Sequence, residues 1–362
     1  MDFNRYNRQI ILPDFGTEGQ QKLRQASVLI IGVGGLGCPA SQVLAGTGVG
    51  RLGLLDFDTV ELHNLHRQPL FNEKDIGRAK VEVAREQLSL FNSEVEIQIF
   101  NQKVEVGNII PILQNYDVVV DCTDNFSTRY LINDACTLLS KPLVYGAIFR
   151  YEGQVSIFNV GEKSEQTNYR DLFPSPPSAD EIPNCNEAGV LPTLPLIIGA
   201  MQANEVIKFI TGSNEILRNR LAIFNAKTYE THRIAYSINT AKPSPKSIED
   251  LYFLHYKTED SFCGLHHLNT EEELKAFLSK ESSVLIDVRE RGELPFLTKY
   301  PAINIPLSDI ENATEAIESL QNICCICASG QRSKKAVSLL KQKYPDKNIT
   351  DFPKGVMAIN GK

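Results

Sequence analysis

Two things are missing from this sequence, a run of lysine or arginine and a long apolar stretch, and Cys-x-x-Cys spacing occurs only once, at Cys324 and Cys327. The longest apolar segments, at 28–36 and 189–200, fall well short of the ~20 residues that a membrane-spanning helix needs. The opening MDFNRYNRQIIL carries Arg5 and Arg8 but only a brief apolar run, too short for a signal peptide. A cytoplasmic protein that does not enter a membrane is therefore expected. The formal charge of −7 and the lack of basic clusters argue against a nucleic-acid binder, which presents a basic face. Eight cysteines in 362 residues do not make a disulfide framework, and in a reducing compartment such thiols are buried, catalytic or metal-bound.

What is present is an ordinary globular composition, 42% hydrophobic and 22% charged, in a chain long enough for more than one domain. Its first half alternates strand-like and helix-like stretches. SVLIIG (27–32) reads as a buried strand, 36–46 as a small-residue helix and RLGLLDF (51–57) as a strand. A helix at 80–91 and strands at 94–100 and 116–121 follow. That cadence predicts an α/β fold, a Rossmann-like doubly wound and mostly parallel sheet with helices on both faces. The proline-rich stretch 162–186 reads as a long crossing loop and 194–210 as a helix. Beyond AKPSPKS (241–247) a second α/β pattern begins. It has helices at 270–279, 313–320 and 333–344 and strands at 283–287, 302–305 and 323–327. The expected division is a first domain at 1–240, a linker at 241–267 and a small α/β domain at 268–362.

Gly32, Gly34 and Gly37 spell G-x-G-x-x-G after the first strand, the turn that aims a helix N-terminus at a phosphate. Asp56, ending the second strand, suits a ribose hydroxyl. Neither feature separates a nicotinamide dinucleotide from a triphosphate. The next residues do, because Asn64, Arg67 and Gln68 fall within five positions and Lys80 opens the following helix. Converging cations neutralise phosphate oxygens and the charge developing at a reacting phosphorus. Asp124 lies just past the strand at 116–121, where open sheets bind ligands, and a carboxylate there suits Mg²⁺.

These residues bring a family into view. RYNRQIIL (5–12), GVGGLGC (32–38), DFDTVELHNLHRQ (56–68), GRAKVE (77–82), DCTDNFSTRYLIND (121–134) and NCNEAGVLPTLPLIIGAMQANEVIK (184–208) occur in order over about residues 1–235. Together they resemble the ThiF/MoeB/HesA group of ubiquitin-activating-type adenylyltransferases, above all the bacterial sulfur-carrier activators of molybdopterin and thiamine biosynthesis. The resemblance implies an ATP site of Gly35, Asp56, Asn64, Arg67, Lys80, Asp124 and Asn125. It also implies that Arg8 reaches the phosphates of a neighbouring subunit's ATP, hence a homodimer.

In the second domain Cys327 ends a strand in CASGQRSKKAV, followed by Ser329, Gly330, Arg332 and a helix. A thiol over a helix N-terminus and beside an arginine has its pKa lowered. The loop resembles the active-site loop of rhodanese-type sulfurtransferases, whose cysteine carries a persulfide. SVLIDVRERGE (283–293), AINIPL (302–307) and FPKGVMAING (352–361) resemble the same domain's other landmarks. The stretch TKYPA (298–302) departs from the family's pattern.

Joined, the two resemblances imply a reaction. ATP adenylates the terminal carboxylate of a small ubiquitin-like sulfur carrier ending in Gly-Gly, and the persulfide of Cys327, loaded by a sulfur donor, makes the thiocarboxylate. Cys185 on the crossing loop is either a second cysteine for thioester or resolving chemistry or a thiol the reaction does not need. Cys38, Cys122, Cys136, Cys324 and Cys325 read as structural. Many relatives hold zinc with two Cys-x-x-Cys pairs, whereas this chain has NYRD (168–171) at the first position, no pair directly follows the first domain, and Cys324 and Cys327 lie within the second. No zinc is expected, Cys263, His266 and His267 being too few ligands without a partner cluster. His63 and His66 read as packing residues near the nucleotide and Asp58 as a metal helper or a turn cap. Arg5 and Arg129 read as phosphate or carrier contacts. The rival readings are an activator serving tRNA thiolation or another sulfur route, a non-catalytic scaffold and an NAD-dependent oxidoreductase. The last explains neither Arg67 and Lys80 nor the Cys327 loop.

Overall fold

The computed structural model describes residues 4–176, 189–251, 254–255, 268, 270–293, 296–310, 317–328, 331–344, 346–352 and 355–360. The chain forms two compact units, Met1–His255 and Tyr256–Lys362. The first is built on an eight-stranded sheet: β1 Ser27–Ile31, β2 Arg51–Leu55, β3 Glu96–Phe100, β4 Val118–Asp121, β5 Leu143–Phe149, β6 Glu152–Phe158, β7 Arg220–Asn225 and β8 Thr231–Ala235. Their order is β3-β2-β1-β4-β5-β6-β7-β8. Pairing is parallel from β3 to β5 and antiparallel from β5 to β8.

The side-chain period of two explains why β1 is apolar throughout. Val28 and Ile30 enter one core, with residues of the helices Gly37–Thr47, Lys80–Phe91 and Thr193–Thr211, while Leu29 and Ile31 enter the other, with those of Val106–Leu113 and Phe126–Leu139. The chain leaves β1 toward β2 on one side and returns to β4 on the other, so the strand order reverses between β1 and β4. At that switch point the carboxyl ends of neighbouring strands open a crevice.

The described residues of 241–255, a stretch the sequence assigns to a linker, belong to the first unit. Asp171 accepts the backbone N–H of Asn239 at 2.6 Å and pairs with Lys242, and Leu251 is buried in the second core. His255 Nε2 lies 2.8 Å from Asp134 Oδ2. Asp134 also accepts from Arg170 Nε and Nη2 at 2.7 Å each, so three segments meet on one buried carboxylate. Burial pushes the Asp134 carboxyl up, but Arg170 and His255 outweigh that and hold it below its ordinary value. Its folded pKa being depressed, its stabilisation is present at neutral pH and is lost as pH falls through that depressed value. Asp134→Ala leaves the buried Arg170 uncompensated and is expected to cost about 3–5 kcal/mol in urea unfolding at neutral pH. A loss under about 1 kcal/mol, the range of an exposed pair, would show that the pair does not hold these segments.

The second unit has a wholly parallel sheet, β9 Ser283–Asp287, β10 Ile303–Asn304, β11 Asn322–Ile326 and β12 Asn348–Phe352, in the order β10-β9-β11-β12. Alternation again sorts the residues: Cys324 and Ile326 join one core, Ile323, Cys325 and Cys327 the other.

Candidate functional site

At the switch point β1 gives way to the glycine turn, and the helix Gly37–Thr47 starts against it. A β-carbon on Gly37 would stand 1.9 Å from the carbonyl oxygen of Gly32, so no side chain fits there. The helix thus begins directly over the strand end, leaving its first N–H groups toward the crevice. Cys122, just past β4, presses its carbonyl on the same turn, 2.8 Å from where a Gly32 β-carbon would be. Asp124, two residues further on, is exposed at that rim.

Asp56 is buried at the end of β2, where it accepts the N–H of Val33 at 2.6 Å on one oxygen and that of Asp58 at 2.8 Å on the other. Burial pushes its carboxyl up while the charge of Lys80 and the two N–H bonds pull it back. A carboxylate oxygen has more than one acceptor position, so a ribose hydroxyl still finds room. Lys80, on the first turn of its helix, is buried, with Nζ 2.8 Å from Asp58 Oδ2. Asp58 is therefore this lysine's partner. Lys80 is also the cation acting on Cys38, a thiol that burial pushes up to about 12.

The segment after β2 folds back over the turn. A short 3-10 helix, Leu62–Asn64, carries His63, whose carbonyl accepts Arg67 Nη1 at 2.9 Å, and Asn64 Oδ1 accepts Nη2 at 3.2 Å. A β-carbon at Gly35 would lie 3.7 Å from Arg67 Cγ, and one at Gly34 would lie 3.6 Å from Gln68 Nε2. The glycines, Arg67 and Gln68 are thus neighbours. Gln68 is buried, and its Oε1 has no hydrogen-bond partner among the described residues. A buried orphan acceptor beside a phosphate-type turn is satisfied when a ligand donor arrives. His66 is exposed, and His63 Nδ1 lies 3.1 Å from Glu61.

Arg129 does something other than expected. It is no phosphate or carrier contact: it is buried, with Nε 3.1 Å from Asp121 Oδ2 and Nη2 donating to Thr123 O at 2.6 Å. A guanidinium committed to an internal acid cannot greet a ligand; it shapes the strand end from which Asp124 projects. Asp121, which sequence reasoning missed, also accepts from the N–H and hydroxyl of Thr123 at 2.9 and 2.6 Å. Asn125 caps the helix Phe126–Leu139, accepting the Thr128 N–H at 2.8 Å. Arg8 is exposed on the short helix Asn7–Ile10, and Arg5 donates to the carbonyl of Phe91 at 3.1 Å.

In the second unit Cys327 follows β11 and is 1% exposed. Its Sγ is 3.6 Å from the hydroxyl of Ser333, which lies 3.3 Å from the buried carboxylate of Asp351. Arg332 is held in a two-pronged pair with Glu293, at 2.8 and 2.7 Å. Gly355 packs against Ala328 and Cys327 from the other side. Its φ of +72° is in the left-handed region, and a β-carbon there would meet Ala328 O at 2.1 Å. The next N–H, of Val356, donates to Cys327 O at 3.0 Å. Cys38, Cys122, Cys136, Cys324 and Cys325 are all buried, and burial raises each thiol. Cys185, Cys263, His266, His267, Ser329 and Gly330 lie outside the described residues. Among the described residues no group of three or more His, Cys, Asp or Glu is placed to hold a metal ion, and no helix is long and apolar enough to cross a membrane.

The chain is 39% identical over 368 residues to the adenylyltransferase and sulfurtransferase MOCS3 of Culex quinquefasciatus, covering 95% of this chain and 83% of that protein. The protein of the same name from Drosophila persimilis is 37% identical over 388 residues, covering 99% and 84%. Among solved structures, E. coli MccB with MccA-N7isoASN aligns at a TM-score of 0.59 and 24% identity, over 68% of this chain and 75% of that one. That likeness speaks for the fold. The profile described as ThiF family matches residues 6–245, and with these relatives it establishes that the chain belongs to the ThiF family.

Proposed function

We propose that the first unit adenylates the C-terminal glycine of a small ubiquitin-like sulfur carrier with ATP, and that Cys327 of the second supplies sulfur to the activated carboxyl. One arrangement supports the first half: Arg67 and Gln68 stand beside the glycine turn, Asp56 accepts the N–H of Val33 in that turn, and Asp58, bonded to Asp56, pairs with buried Lys80. The relatives' name joins adenylyltransferase to sulfurtransferase over nearly the whole chain, which supports the second half.

A carboxylate is a poor electrophile, so the carrier's terminal oxygen attacks the α-phosphorus. The bond to the β-phosphate breaks, pyrophosphate leaves and an acyl adenylate remains. The N–H groups of the turn receive phosphate oxygens, Lys80 and Arg67 neutralise the charge gathering at phosphorus, and Asp56 holds the ribose. Asp124 is the carboxylate that would hold Mg²⁺, an ion satisfied by one or two acids plus phosphate oxygens; when bound it screens the phosphate charge. Arg8 completes the site across a homodimer.

In the second half the terminal sulfur of a Cys327 persulfide, loaded by a persulfide donor, attacks the acyl carbon and AMP leaves. A second thiol, for which Cys185 is the candidate, then attacks Sγ of Cys327, forming a disulfide and releasing the carrier thiocarboxylate. We assign the pathway to molybdopterin or thiamine biosynthesis and the location to the cytoplasm. The test is ATP–pyrophosphate exchange with candidate Gly-Gly proteins. Exchange that depends on one of them names the partner, and an ATP-indifferent chain that instead retains a nicotinamide dinucleotide would overturn the reading.

A further inference from the structure

We infer that the first unit carries a second anion site, remote from the nucleotide crevice, that takes a phosphate group. It is a recess of about 370 Å³ between the end of the helix Thr193–Thr211 and the strands β7 and β8, lined among others by Ser213, Asn214, Arg218, Arg220 and Arg233. Three guanidinium groups gather there in a chain whose formal charge is −7.

Their partners are too few. Arg218 Nη2 lies 2.5 Å from Glu165, but Arg218 Nε is buried with no hydrogen-bond partner. Among the described residues, neither the Arg220 nor the Arg233 guanidinium has an ion-pair or hydrogen-bond partner. Glu215, on the wall, is exposed. Arg220 stands opposite Ala235, and Arg233 opposite Ala222. The two arginines are thus diagonal neighbours on one sheet face. Arg218 is fixed nearby by packing on Gly161, where a β-carbon would come within 2.6 Å of the guanidinium carbon. The negative end of the helix is already muted, since Lys22 reaches Thr211 O and Lys208 stands in the last turn.

Adjacent guanidinium forks match the oxygens of a phosphate, whose two negative charges repay the crowding of three cations better than one carboxylate does. The recess is no annex of the nucleotide crevice. β7 and β8 lie four and five strand positions from β1, roughly 19 Å or more away at the spacing of neighbouring strands.

The experiment is calorimetric titration of the full chain with inorganic phosphate and, separately, glycerol 3-phosphate. The Lys80→Met chain, impaired at the nucleotide crevice, is expected to keep saturable binding, whereas Arg220→Gln/Arg233→Gln is expected to bind at least about tenfold more weakly, two charge-assisted contacts being lost. Tighter binding of glycerol 3-phosphate assigns the site to a phosphate ester, and equal binding to free phosphate. A second readout uses the unaltered chain: phosphate is expected to protect Arg220 and Arg233 from phenylglyoxal. No saturable binding of either probe, no protection, or binding lost with Lys80→Met but kept in the double variant overturns the site.

Discussion

Replacing Lys80 by methionine is expected to lower carrier-dependent ATP–pyrophosphate exchange by about 10³-fold, the scale of losing one well-placed transition-state charge. The loss should be catalytic. Lys80 is buried, but the side chain of its partner Asp58 is 50% exposed, so water replaces the lost cation at little cost. Methionine fills the vacated space with a similar unbranched chain. Asp56, whose carboxyl burial already pushes up, loses a cation that pulls it back. Asp58→Asn separates the alternatives. If Lys80 served only to anchor Asp58, that variant would lose as much exchange as Lys80→Met. The expectation is a much smaller loss, because the cation stays at the crevice. Exchange within about threefold of the unaltered enzyme in Lys80→Met would remove this lysine from the phosphate chemistry.

The parallel half of the sheet was legible because its signals are local. Each strand of SVLII, RLGLL and VVVD is apolar enough to be buried on both faces, and the glycine turn and the acids at strand ends can be read without the third dimension. The antiparallel half was not. Its hairpins turn through Arg150 and Tyr229, non-glycine residues at φ of 54° and 63°, so the Asn-Gly or Asp-Gly that marks a tight turn is absent. β8 is exposed along its whole length, which removes the apolar alternation that identifies a strand.

In the crevice, residue type was readable and commitment was not. Arg67 and Arg129 look alike in sequence, yet one lies over the glycine turn and the other is spent on Asp121. The difference depends on an acid eight residues away on a neighbouring element. The tie of residues 239–255 to Asp134 and Asp171 escaped for the same reason. A lysine just before two prolines and a histidine after them look like linker until their buried acids are in place.

Cys327→Ala is expected to leave ATP–pyrophosphate exchange unchanged and to abolish thiocarboxylate formation on the carrier. The two outcomes separate because the cysteine belongs to the second unit and the nucleotide crevice to the first. Exchange requires only the first half-reaction, whereas sulfur delivery needs a nucleophilic thiol. The neighbouring thiols are poor substitutes. Cys324 faces the opposite core, and Cys325 shares the face of Cys327 but lies inside β11. Burial raises both thiols far from the thiolate form that carries sulfur. Cys327 differs in position: it follows the strand end, next to the Ser333 hydroxyl and against Gly355. Loss of the sulfur atom should perturb packing only modestly, since alanine keeps the β-carbon. A folded Cys327→Ala chain that still makes thiocarboxylate, detected by mass spectrometry of the carrier, would assign the sulfur to another source. It would leave Ser333 and Asp351 bonded to each other for the fold alone.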